Sequence, residues 1–217
     1  MNPEYPASTS ARLGSIALAG LAIFLATSFA AQFLRPELDW ARVPNSFYLI
    51  GPYGAMVRAG YVAMSLAMIA LAAGAYLALA PAARSAAPLL MFSLAGIALS
   101  VTAFARTAIP GQPPTLEGYV HGVAASTAFL CTATAMLLQA WRLRGDARWR
   151  RWSGPALGYA AVCFVLLWVL LLWRDLPRGA GQKALIVLIA GWLLAAAYRL
   201  RRGPDSMSPS AGSVTAS

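Results

Sequence analysis

The chain has 217 residues, 59% of them hydrophobic and 11% charged, with a formal net charge of +10 and a mean hydropathy of +0.63. Soluble domains carry about 25% charged residues, so this composition excludes a water-soluble globule and leaves an integral membrane protein. The basic residues flank apolar runs, where anionic lipid headgroups meet them, and no basic face is interleaved with the aromatics that stack nucleic-acid bases, which excludes a nucleic-acid partner.

In chain order, residues 1–12 form a polar lead-in. Leu13–Phe33 is the first apolar run long enough to cross a hydrocarbon core of about 30 Å as a helix. Within it ATSFAAQ, Ala26–Gln32, carries small residues at signal-peptidase-like spacing. The apolar stretch before it is long and only Arg12 precedes it, so the run reads as an uncleaved anchor. The connection Gln32–Arg58 follows, punctuated by Pro44, Gly51, Pro52 and Gly54 and therefore turning rather than spanning. It brings Glu37, Asp39, Trp40, Arg42, Tyr48, Tyr53 and Arg58.

Ala55–Ala80 and Pro88–Ala105 are the second and third runs, and the connection after them contributes Arg106 and Glu117. Tyr119–Ala140 is the fourth run. Trp141–Trp152, WRLRGDARWRRW, then packs five arginines into one connection, with three tryptophans suited to an aromatic belt at the headgroups. Gly154–Trp173 is the fifth run. RDLPRGAGQK supplies Arg174, Asp175, Arg178, Gln182 and Lys183, and Lys183–Tyr198 is the sixth and shortest run. Residues 201–217, rich in Ser, Pro and Gly, read as a disordered tail.

No run alternates with period two, and hydrocarbon offers no water to backbone N–H and C=O groups, so each run must be a helix. The fold expected is an all-α integral membrane domain over residues 13–200, a six-transmembrane-helix bundle built from three consecutive hairpins. With both termini cytoplasmic, ten of the seventeen Lys and Arg residues fall on the inner side and seven on the outer. That orientation places the Arg-rich connection inside, against anionic headgroups, and the polar residues named above outside.

The chain's one histidine, His121, lies in PPTLEGYVHGVAAS, Pro113–Ser126. Thr115 is the expected N-cap of the fourth helix, Glu117 sits in the first turn where the helix dipole favours an anion, and His121 follows one turn deeper on the same face. Gly118, Gly122 and Ala125 form a small-residue stripe beside the pair, which predicts a tight helix–helix contact there and a face suited to self-association. Two readings follow: a helix cap with one interfacial histidine, or a polar pocket. The composition excludes a haem held by two histidines and a zinc site of three. Cys131 and Cys163 lie inside the fourth and fifth runs and read as buried hydrophobes rather than a disulfide framework. There is no phosphate-binding loop, dinucleotide fingerprint or nucleophile elbow, and no cofactor is called for.

Three stretches carry a resemblance. Asn45–Ala72 begins with Ser-x-Tyr (Ser46, Tyr48) and Gly-x-Tyr-Gly (Gly51, Tyr53, Gly54); Pro113–Gly122 ends in His121 and Gly122; Arg178–Val187 contains Gly-x-x-Gln-Lys (Gly179, Gln182, Lys183). Over Leu13–Tyr198 the chain resembles the bacterial membrane proteins of domain-of-unknown-function family 998. In that family an arginine stands where this chain has Lys183, and an aspartate precedes the histidine; here no aspartate stands between Arg106 and Thr115, so an acidic role would fall to Glu117. The resemblance implies fold, topology and a bacterial inner-membrane location, and no established activity.

The functional expectation is binding, extending to transport, of a lipid headgroup or small anion by an extracytoplasmic cluster of Asp39, Tyr48, Tyr53, Arg58, Arg106, Glu117, His121, Gln182 and Lys183. The alternatives are an outer-leaflet enzyme using Glu117 and His121 as acid and base, which lacks a nucleophile and a metal site, and a structural or assembly protein.

Overall fold

The computed structural model describes residues 4–173 and 175–203. Arg174 and residues 204–217 lie outside the described residues; Arg201 and Arg202, which the sequence reading placed in the disordered tail 201–217, are instead the last residues of the sixth helix. All described structure is helical. Helices α1 (Glu4–Leu34), α2 (Gly54–Ala78), α3 (Ala86–Phe104), α4 (Leu116–Arg142), α5 (Arg150–Leu172) and α6 (Arg178–Arg202) each hold an apolar stretch long enough to cross a membrane. The protein is a six-helix multi-pass membrane bundle. The sixth helix extends well past the Lys183–Tyr198 run, since Arg178 precedes its first turn of apolar contacts and Arg199, Arg201 and Arg202 complement the dipole at its end.

The helix ends are set by local chemistry. Thr115 Oγ1 accepts from Gly118 N at 3.1 Å and so caps α4 as its sequence position predicts. Ser85 caps α3 in the same manner, from Ala87 N. Gly203, with φ +75°, ends α6. Two short connections, a 3₁₀ turn Pro81–Ala83 and another at Leu143–Gly145, lie at one end of the bundle; this is the arginine-rich end. The opposite end holds the long connection 35–53, with its 3₁₀ turn Asn45–Leu49, and the connections 105–115 and 173–177; this is the loop end.

The three consecutive hairpins α1–α2, α3–α4 and α5–α6 pack onto one another rather than standing apart. α1 packs along α2, α2 along α3 and α3 along α4, and α6 returns to lie against α1. Close approach of α1 and α2 is set by Gly20, where a Cβ would lie 2.5 Å from Ala63 O and 2.9 Å from Ala67 Cβ. Only Ser153, Ala160 and Cys163 of α5 are buried, so this helix shows most of its surface to lipid. The core runs through Leu21 and Phe24 of α1, Tyr61 and Met68 of α2, Phe92 of α3, Met136 of α4 and Leu193 of α6. Cys163 is buried and Cys131 half-buried, and both are free thiols.

The stripe at Gly118 and Gly122 makes no tight helix contact, a correction to the sequence reading. Gly122 faces open space, and Gly118 meets Ala108 of the α3–α4 connection, with a Cβ there 3.0 Å from Ala108 Cβ. The connection 105–115 folds back over the start of α4, so the space a second helix would fill is taken by loop.

Candidate functional site

The loop end holds all nine residues singled out from the sequence: Tyr48, Gln182 and Lys183 in one group, Arg58, Arg106 and Glu117 in another, and Asp39, Tyr53 and His121 in neither. The first group fastens the long connection to α6. Lys183 Nζ donates to Trp40 O at 2.6 Å and to Val43 O at 2.7 Å, and stands 5.2 Å from the ring centroid of Tyr48. Gln182 Oε1 accepts from Asn45 N at 2.9 Å. Ala180 N donates to Ala41 O at 2.8 Å, and a Cβ on Gly179 would lie 2.6 Å from Val43 O. The Gly-x-x-Gln-Lys stretch therefore seats the first turns of α6 on backbone of residues 40–45, leaving carbonyls and an amide that hydrocarbon could not satisfy paired with side chains instead.

Beneath this seat lies a buried polar layer of which the sequence reading singled out Tyr48 and missed the rest. Asn45 Nδ2 donates to Tyr61 Oη at 3.1 Å, and Gln32 Nε2 to Ser28 O at 3.1 Å. Tyr48 is fully buried, its hydroxyl has no hydrogen-bond partner, and burial pushes its pKa up. Arg35 spans the connection, donating to Ile50 O at 2.7 Å and pairing with Glu37, whose carboxyl it holds below the usual range. The signal for this layer was available in part: Gln32 and Arg35 are polar residues at the end of the first apolar run, where each must find a partner.

Two of the nine stand apart at the surface. Asp39 accepts from Ala41 N at 2.9 Å and pairs loosely with exposed Arg42 at 3.4 Å. Tyr53 is exposed, in the left-handed conformation at φ 63° that turns the chain into α2.

The second group is a cleft between α2, the end of α3, the connection 105–115 and the start of α4. Its volume is about 390 Å³ and its walls include Arg58, Arg106, Gln112, Thr115 and Glu117. Arg58 Nη2 donates to Leu49 O at 3.3 Å and pairs with no carboxylate among the described residues. Arg106 Nε lies 3.9 Å from Glu117 Oε2, and both side chains are largely exposed. Two guanidiniums against one carboxylate leave the cleft with an excess positive charge. Phe104, Leu116 and Tyr119 are strongly exposed at its margin, where the apolar stretches of α3 and α4 end.

His121 does not join this cleft. It is buried, and its Nδ1 lies 2.8 Å from Ala105 O, the carbonyl just past the end of α3. Glu117 points instead to Arg106, and no hydrogen bond or ion pair joins it to His121. Of the two readings of this stretch, the geometry matches a helix cap with one interfacial histidine: Thr115 caps α4 and His121 makes its hydrogen bond to Ala105 O, while Glu117 pairs with Arg106, so the contact that a Glu117–His121 acid–base pair would need is missing. Among the described residues no three His, Cys, Asp or Glu side chains gather where they could hold a metal ion.

At the arginine-rich end Asp146, the one acid in the Arg-rich connection, is buried and meets four donors. Its Oδ2 accepts from Ala80 N and Arg148 Nη2, both at 2.8 Å, and its Oδ1 from Arg148 N at 3.0 Å and Arg148 Nε at 3.1 Å. The side-chain hydrogen bonds from Arg148 lower its pKa from 3.8 to about 2. Asp146 thereby ties the α2–α3 connection to the α4–α5 connection. A lone acid among five arginines was a legible sign of such a tie.

Residues 18–199 match the family model described as "Protein of unknown function (DUF998)". The chain belongs to that family. The family match spans all six helices, from within α1 to the last turn of α6. No curated protein and no solved structure matches the chain.

Proposed function

We propose that this family member is a binding protein of the bacterial cytoplasmic membrane that holds a phosphate- or carboxylate-bearing group in the Arg58–Arg106 cleft, on the extracytoplasmic face. The observation that carries the reading is the guanidinium of Arg58, which has no carboxylate partner among the described residues, lining the same 390 Å³ cleft as Arg106 and Glu117. Arginine suits a bidentate grip on such oxyanions. The exposed Phe104, Leu116 and Tyr119 beside the cleft suit a headgroup whose chains run down the outside of α3 and α4. The orientation rests on the concentration of arginines at the opposite end. An acid–base role for Glu117 with His121 lacks the contact it needs, and Lys183 and Gln182 are already engaged by backbone.

The test is a binding titration of the detergent-purified protein with glycerol phosphate and, separately, with a short-chain phosphatidic acid. Arg58→Gln and Arg106→Gln are each expected to weaken binding about tenfold, the scale of one charged hydrogen bond, while Glu117→Gln strengthens it. Binding of the lipid alone identifies a headgroup site; binding of both identifies a site for soluble anions. Binding unaffected by all three substitutions overturns the proposal.

A further inference from the structure

At the arginine-rich end a second cleft of about 250 Å³ opens between the first half of α5 and the last half of α6, with its floor on α2 and α4. Trp192 Nε1 donates to Ala156 O at 2.9 Å and ties α6 to α5 at the cleft wall, and Arg199 of α6 stacks on Trp152 of α5 nearer the arginine-rich end. Its walls are apolar and aromatic, with Phe92 and Trp192 side by side, ring centroids 6.3 Å apart.

Three features of this cleft are unused by the protein itself. Gln139 and Trp149 both line it, both are more than nine-tenths buried, and Gln139 Nε2 and Trp149 Nε1 have no hydrogen-bond partner. Buried donors are rarely left unpaired in native structures. Arg199, half-buried on the same wall, stacks on the ring of Trp152 and has no carboxylate partner among the described residues. Asp146, the acid in the Arg-rich connection, is already engaged by Arg148 and Ala80 N. The cleft thus combines an apolar wall, two N–H donors lacking acceptors and a cation lacking an anion. A plain hydrocarbon chain would match the walls but leave the two donors and the cation without partners.

We propose that this cleft is a binding site for an anionic phospholipid of the adjoining leaflet. One acyl chain lies between α5 and α6, the glycerol-ester and phosphate oxygens accept from Gln139 and Trp149, and the headgroup charge meets Arg199. The volume lies just below the ~300 Å³ at the small end of ligand pockets, which suits one chain and not a whole two-chain lipid. The second chain stays outside, along the lipid-facing surface of α5. This site is independent of the Arg58–Arg106 cleft at the other end of the bundle.

Native mass spectrometry and thermal melting of the detergent-purified full chain, with dioctanoyl phosphatidylglycerol against dioctanoyl phosphatidylcholine, test it. The wild type is expected to retain one phosphatidylglycerol with about tenfold preference over phosphatidylcholine, the scale of one charged contact. Arg199→Gln removes that preference, and Ala196→Phe, which fills the cleft, removes retention of both lipids. Gln139→Leu is the decisive variant: it raises the melting temperature of lipid-free protein, because an unpaired donor is gone, and shrinks the further rise that phosphatidylglycerol gives. Arg58→Gln and Arg106→Gln leave all of this unchanged. If Arg199→Gln and Gln139→Leu keep the wild-type preference, if lipid retention follows Arg58 and Arg106 instead, or if a lipid-free dimer fills the cleft, the proposal is wrong.

Discussion

The Lys183 group and the Arg58–Arg106 cleft lie at the same end of the bundle and have similar composition, yet they differ in what their charges do. Lys183 is spent on two carbonyls of its own chain, and Gln182 on a backbone amide. Arg58 reaches one carbonyl at 3.3 Å, and Arg106 one carboxylate at 3.9 Å. Polar residues at a membrane boundary are therefore not equivalent as site candidates. Those that satisfy a loop's backbone hold the fold, and those left with spare donors are free to hold something else.

That contrast breaks down if substitutions in the two groups cost the same stability. The largest effect is expected at Gly179→Val, where the added side chain meets backbone of Ala41 and Val43 closer than 3 Å; the loss is about 4 kcal/mol, at the upper end for a single substitution, read as a collapse of detergent-stable monomer. Lys183→Met leaves the Trp40 and Val43 carbonyls without donors and costs about 2–3 kcal/mol in chemical unfolding, while Lys183→Arg recovers most of it. His121→Ala removes the tie to Ala105 O and costs about 1 kcal/mol. Arg106→Gln changes stability by less than about 0.5 kcal/mol, because its ion pair is exposed, while anion binding falls. A destabilisation by Arg106→Gln as large as that by Lys183→Met would erase the distinction.

Asp146 sharpens the comparison from the far end, as a saturated charge outside the loop-end groups. Its folded pKa of about 2 lies below the 3.8 of the free carboxyl, so its stabilisation, about 2 kcal/mol by linkage, is complete above about pH 4. It is lost as pH falls from 3.8 toward 2. Asp146→Asn is expected to lower stability at pH 7 and to flatten that acid limb in pH-dependent melting.

The spans were legible because hydrocarbon forces each apolar run of sufficient length into a helix, and six runs gave six helices. The cap at Thr115 was legible because its chemistry is local. What escaped was chemistry between distant segments. Four residues of spacing put Glu117 and His121 on one face, but their partners, Arg106 and Ala105 O, come from the preceding connection. Gly118 and Gly122 had helix-contact spacing, but Gly122 faces nothing. Lys183 and Gln182 were singled out as part of a polar cluster; that their partners are Trp40, Val43 and Asn45, some 140 positions earlier, is set by α6 closing against α1. The cleft at the arginine-rich end, with Gln139, Trp149 and Arg199, escaped because its residues come from α4, the start of α5 and α6 and meet only in the folded bundle.

The seating of α6 on residues 40–45 also bears on how the bundle is made. During synthesis the connection 35–53 emerges long before Gly179, Gln182 and Lys183 exist. Until they arrive, the carbonyls of Trp40 and Val43 and the amide of Asn45 must stay hydrated, so this stretch cannot settle into its final depth. Insertion of the last helix is what lets the first connection dehydrate and lock. A chain ending before α6 would keep its earlier spans but leave the Trp40 and Val43 carbonyls and the Asn45 amide without these partners, and α1 without the helix that packs against it.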